Sequence, residues 1–127
     1  MLMMLGVGVG AACGAWLRWL FVVLFNPLIA HLPLGTLLAN LLGGYLMGIA
    51  MGVFTIYVHL SPELRMMIVT GFLGGLTTFS SFSAEVMTMF LRQEIGWGLI
   101  IIFSHIIGSL GLTGLGLWTV MLMRGEG

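Results

Sequence analysis

Nearly every residue between Leu2 and Met123 belongs to one of four long apolar runs, and only a few residues join one run to the next. About 20 apolar residues are what a helix needs to cross the hydrocarbon core of a bilayer. No water is available there, so each run must satisfy its backbone groups internally, as an α-helix. The pattern predicts spans at about 2–25, 34–58, 63–91 and 97–123, in a single domain over 1–127. Asn26-Pro27 ends the first span, before a short loop with His31 and Pro33. In the turn His59-Leu60-Ser61-Pro62, Ser61 is placed as an N-cap, Pro62 at the first helical position and Glu63 in the first turn. Arg92-Gln93-Glu94-Ile95-Gly96 makes the last turn. Connections this short force neighbouring helices to run antiparallel. The expected fold is an all-α membrane protein of four transmembrane helices, with no soluble domain left over.

Charge agrees with this reading. Charged residues make up 6% of the chain, against roughly 25% in a soluble domain, and the mean hydropathy is +1.19. They are Arg18, Arg65, Arg92 and Arg124 against Glu63, Glu85, Glu94 and Glu126. No basic patch exists to meet phosphates, which excludes nucleic acid as a partner and leaves membrane lipid. Cys13 is the only cysteine, so neither an intrachain disulfide nor a cysteine metal cluster is expected, and Cys13 is read as a small packing residue. The N-terminus lacks a basic leader region, and its apolar run exceeds a signal-peptide core, so it is read as a retained span. Trp16, Trp19, Trp97 and Trp118 fit interfacial belts. His105 is read as structural.

Small residues recur four apart: Gly6, Gly10 and Gly14; Gly44, Gly48 and Gly52; Gly71 and Gly75; Ser104 and Gly108. Such stripes let helices approach closely in lipid. Stripes on every span favour a partner chain to cover them all; packing within one chain is the alternative. Arginines are nearly balanced between the two sides, which leaves orientation undecided by the positive-inside rule. Two opposed copies can then form an antiparallel dimer.

The third span is interrupted near its middle. It reads Gly71-Phe72-Leu73-Gly74-Gly75-Leu76-Thr77-Thr78-Phe79-Ser80-Ser81-Phe82-Ser83-Ala84-Glu85. A helix broken at bilayer depth is tolerated only where protein buries it or where it lines a wet cavity. Gly74-Gly75 can end one half-helix, and Thr77 or Thr78 can cap the next. Free carbonyls at such an end suit a small cation, and free amides suit an anion. A simple packing kink is the alternative. Phe79 and Phe82 share one helical face, and Ser80 and Ser83 another. Ring edges are electropositive, and hydroxyls donate hydrogen bonds, so both can face an anion that has shed water. Asn40 lies within the second span and must either find partners, as a link between helices, or line a wet cavity, and Thr36 lies one turn away. Arg18 can snorkel to a vestibule mouth. Glu85, deeper in its span, can carry a proton, line an ion path or pair with a hydroxyl.

Three stretches, Gly14-Ala15-Trp16-Leu17-Arg18, Pro33 through Asn40, and Thr70 through Glu85, together resemble the bacterial fluoride channels of the Fluc family. The resemblance covers nearly the whole chain, and the third stretch is its most specific part. It implies an antiparallel dual-topology homodimer in the bacterial inner (plasma) membrane, with two fluoride pores. It implies one structural sodium ion, held by backbone carbonyls of Gly74 and Thr77 from each chain. The fluoride path then falls on Asn40, Phe79, Ser80, Ser81, Phe82, Glu85, Ser104 and Arg18. Ser81 stands where threonine is common and keeps the hydroxyl. Gly108 stands where a further hydroxyl is expected.

A passive channel has a clear task. Hydrogen fluoride crosses membranes unaided and ionises inside, and an inside-negative potential then expels the anion through a pore with several weak sites. The competing reading is a small dual-topology multidrug/proton exporter, which needs a carboxylate in an aromatic cage in its first helix, and this first helix has none. An enzyme is disfavoured, since no nucleophile–base pair or set of metal-ligating side chains stands out.

Overall fold

A computed structural model describes residues 1–125; Glu126 and Gly127 lie outside the described residues. Among the described residues all regular structure is helical: α1 (Leu2–Phe25), a 3-10 turn (Asn26–Leu28), α2 (Leu34–Ile56), α3 (Pro62–Met66), a π-helical stretch (Met67–Leu73), α4 (Gly74–Leu76), α5 (Phe79–Leu91) and α6 (Ile95–Met123). Four stretches are long and apolar enough to cross a membrane: Leu2–Leu28, Leu34–Ile56, Pro62–Leu91 and Ile95–Met123.

The turns follow local chemistry. Ser61 Oγ accepts the Leu64 amide at 3.2 Å, and Pro62 occupies the first helical position, where its missing N–H costs nothing. At the far end of α2, Arg65 donates to the carbonyls of Phe54, Tyr57 and Val58 and lies over the Phe54 ring. A cation there satisfies helix-end carbonyls and complements the negative end of the dipole. After α5, Gln93 takes a positive φ of 62°. The Gln93 amide then reaches Phe90 O and the Glu94 amide reaches Met89 O, a Schellman closure that glycine usually provides.

Two helix pairings build the molecule. α2 runs along α6, and α1 runs along the π-helical stretch and α4. Both depend on glycine. A Cβ on Gly48 would land on the Thr113 carbonyl oxygen, and one on Gly14 would land on the Phe72 carbonyl oxygen. Gly10, Gly71 and Gly75 likewise face backbone across the α1 contact, and Gly44 faces the Ser109 carbonyl. The small-residue stripes are thus taken up largely within one chain, which corrects the expectation that they call for a partner. Cys13 also differs from its expected packing role: its side chain is exposed on α1.

Inserting a methyl at a backbone-to-backbone contact leaves nothing flexible to move aside. Gly48→Ala is expected to destabilise the fold by about 1–3 kcal/mol. Gly111, with no neighbour within 4 Å of a built Cβ, should tolerate alanine without loss. Unfolding of the two variants in detergent micelles checks the contrast; equal stability would remove the close approach from the account.

Candidate ion-conduction site

The site begins where the third span leaves helical geometry. Thr77 (φ −86°, ψ 154°) and Thr78 (φ −149°, ψ 122°) are both extended. Gly74 itself is helical (φ −63°, ψ −36°). The interruption therefore falls at Thr77-Thr78, after the glycine pair instead of at it.

An extended Thr78 presents its N–H and C=O sideways, and Asn40 of α2 takes both. Asn40 Oδ1 accepts the Thr78 amide at 2.8 Å, and Nδ2 donates to Thr78 O at 3.0 Å. The second Nδ2 hydrogen goes to His105 Nδ1 of α6 at 2.9 Å. One carboxamide thereby ties three spans together. Breaking it would leave buried backbone groups unpaired, at about 1–3 kcal/mol each.

The same contacts redirect the helix-end groups. In an uninterrupted helix the Thr78 amide would bond Gly74 O, and the Ser81 amide would bond Thr77 O. Here the first goes to Asn40 and the second to Thr78 Oγ1 at 3.2 Å. Thr78 also donates its hydroxyl to Ser81 Oγ and lies 3.4 Å from Ser80 Oγ. Arg18, free by sequence to snorkel, turns inward, and its Nε donates to Gly75 O at 3.1 Å. A cationic group thus caps the C-terminal end of the first half, where the dipole is negative.

A groove of about 510 Å³ opens beside the interruption, lined by Asn40, Thr77, Thr78, Phe79, Phe82 and His105 together with apolar and glycine neighbours. Phe79 and Phe82 meet edge-on, with centroids 5.4 Å apart. Phe82 is buried and Phe79 is 77% exposed. Phe82 also lies against the His105 ring at 4.6 Å. Of the residues singled out from sequence, the structure brings Asn40, Phe79 and Phe82 into this groove, with Ser80 and Ser81 joined to its edge through Thr78. Gly74 and Thr77 line it as well.

The remaining candidates lie elsewhere. Glu85 Oε1 accepts the hydroxyl of Thr36, and Asn26 Oδ1 accepts the Thr36 amide at 3.1 Å. This second polar cluster sits near the end where α1 passes to α2. Beyond it, His31 pairs with Glu94 at 2.6 Å and stacks on Trp97. Ser104 donates to the Ile100 carbonyl of its own helix at 2.6 Å and is not among the groove-lining residues. His105, Ser109 and Thr113 line the groove in its place. Their spacing of four residues marks one polar face of α6, and Ser104 stands one residue before it. His105, read from the sequence as structural, lines this groove.

Residues 5–117 match the family described as CrcB-like protein, Camphor Resistance (CrcB). Among curated relatives, the Fluoride-specific ion channel FluC of Ralstonia nicotianae is 60% identical over 114 residues, covering 90% of each chain. Its namesake from Nitrosospira multiformis is 58% identical over 114 residues, covering 90% of this chain and 89% of the relative. That of Cupriavidus taiwanensis is 55% identical over 117 residues, covering 92% and 93%.

Thr78 caps α5 and anchors the serine hydroxyls. Thr78→Val keeps the shape and β-branching but removes the cap, and is expected to cost about 1 kcal/mol. Unfolding measurements in micelles check this; a variant as stable as the parent would show that Thr78 Oγ1 contributes nothing to the interruption.

Proposed function

Because the chain belongs to the CrcB-like family, we propose that it is a fluoride-selective ion channel giving passive fluoride efflux across the bacterial inner membrane. It is a multi-pass integral membrane protein and not an enzyme. The observation that carries the reading is the placement of the Phe79–Phe82 pair beside the Asn40 clamp in one groove. Ring edges and donor groups meet there at the depth where an anion crossing a bilayer has least water. Fluoride holds its hydration strongly, so the path must replace water with donors, yet hold the ion weakly enough to release it. Ser80 and Ser81 are proposed to add hydroxyls on the groove edge. Glu85 with Thr36, and Arg18 at the end of α4, are proposed to shape the route on either side. Ser104 would reach the path only by leaving its backbone partner.

The third span is proposed to act as two half-helices meeting at Thr77-Thr78, and the working unit as an antiparallel dual-topology homodimer. The open groove and the exposed Phe79 ring support a second chain on this face.

A structural sodium ion is proposed at the interruption. The fit rests on two carbonyls, Gly74 O and Thr77 O, whose ordinary helical donors are drawn away by Asn40 and Thr78. Two such oxygens from each of two chains would supply neutral ligands, suited to a monovalent ion better than to a divalent one, which recruits carboxylates. No group of three or more His, Cys, Asp or Glu side chains could hold a metal among the described residues. When bound, the ion would offset the repulsion of opposed helix ends.

Purified protein in liposomes is expected to release fluoride down its electrochemical gradient, with little chloride flux. Efflux that stops when a proton gradient collapses at fixed voltage would argue for the exporter instead. Phe82→Ile, which keeps apolar bulk and removes the ring edge, should lower fluoride flux sharply in folded protein; near-normal flux would return Phe82 to packing alone.

Thorough removal of sodium is expected to weaken assembly and flux together, since binding stabilises only the state that completes the shell. Full activity and an intact assembly in sodium-free buffer, with no other cation substituting, would remove the ion from the account.

A further inference from the structure

We propose that Asn40 is a positioning residue that fixes the tautomer of His105, so that His105 Nε2–H is a hydrogen-bond donor to the anion passing Phe82. The proposal rests on the fluoride-channel reading above for the identity of the anion.

At the backbone, donor and acceptor are fixed by chemistry. Thr78 N–H can only donate and Thr78 O can only accept. Asn40 must therefore place Oδ1 on the first and Nδ2 on the second. Rotating its carboxamide by half a turn would set amide against amide and oxygen against oxygen. With Nδ2 so placed, its second hydrogen faces His105 Nδ1 at 2.9 Å, and that nitrogen must offer a lone pair. An imidazole with one hydrogen then carries it on Nε2. A doubly protonated ring would turn an N–H of its own against the Asn40 amide.

The consequence is a donor in an apolar setting. His105 is 4% exposed, and Nε2 is buried with no hydrogen-bond partner among the described residues. A buried polar group without a partner is uncommon and calls for a reason. The Phe82 ring lies against the imidazole at 4.6 Å, and both residues line the same groove. A small anion that has given up water gains most from an N–H that no protein group has claimed. Asn40, by contrast, has its oxygen and both Nδ2 hydrogens engaged, so its effect on the ion acts through His105 and Thr78.

The test is nitrogen-15 NMR of histidine-labelled full-length protein in micelles, with His105 assigned by the loss of its signals in His105→Gln. The hydrogen of His105 is expected on Nε2, and its resonance is expected to shift on adding sodium fluoride but not sodium chloride. A hydrogen on Nδ1 would overturn the tautomer. A hydrogen on Nε2 that ignores fluoride would overturn the donor role. In Asn40→Asp the carboxylate can only accept, so the hydrogen should appear on Nδ1; its retention on Nε2 would remove Asn40 as the lock. If that variant fails to fold, the parent spectrum and flux measurements on His105 variants decide. His105→Phe keeps a ring and loses the donor, and should lower fluoride flux by about tenfold or more. His105→Gln restores a donor and should recover most of it. A parent protein with Nε2–H in place but no fluoride flux would overturn the channel reading and the donor role, while the Asn40 lock would stand.

Discussion

The grip of Asn40 on the backbone of Thr78 is the contact on which the arrangement around it depends. A helix cannot simply stop at bilayer depth, because its terminal amides and carbonyls have no water to turn to. Asn40 supplies both a donor and an acceptor at Thr78, where the chain is extended. Thr78 in turn caps α5 with its own hydroxyl, and Arg18 takes the carbonyl of Gly75. Three side chains from three different segments thus substitute for the missing turn. Each makes a local irregularity affordable that no single span could sustain alone.

This works only because the spans lie very close. Gly14 and Gly75 let α1 lie against the π-helical stretch and α4, which brings Arg18 within reach of Gly75 O. Gly44 and Gly48 let α2 lie against α6, and that contact sets the distance between Asn40 and His105. Hydrophobic burial distinguishes poorly between helix faces in lipid, where tails are as apolar as leucine side chains. Backbone approach at glycine and a few directed hydrogen bonds then set which faces meet.

Two polar regions hold most of the residues singled out for the ion path. One is the groove at the interruption, with Asn40, the phenylalanine pair and the α6 face of His105, Ser109 and Thr113. The other is the cluster of Asn26, Thr36 and Glu85 near the α1–α2 turn. The two differ in what they present: ring edges and a buried imidazole at the first, and at the second a carboxylate that already accepts the Thr36 hydroxyl.

The sequence by itself determined that the chain is helical and crosses a membrane four times, because length, hydropathy and short turns leave no other way to satisfy the backbone. It also carried the Ser61-Pro62 helix start, whose signal is local. It marked the disturbed segment of the third span, and the residues Asn40, Phe79 and Phe82, by their chemistry. Only the tertiary structure decided the details that depend on partners far along the chain. Local propensity favours Gly74-Gly75 as the stopping point; the stop falls at Thr77-Thr78 because Asn40, 38 positions away, bonds Thr78 there. Ser104 and His105 are equally polar candidates in an apolar run, and a step of one residue turns a helix by about 100°. Which of them faces the groove is fixed by the packing of α6 on α2. The glycine stripes look alike in sequence whether they meet the same chain or another. Their assignment is made by the neighbouring backbone, which is a property of the folded molecule.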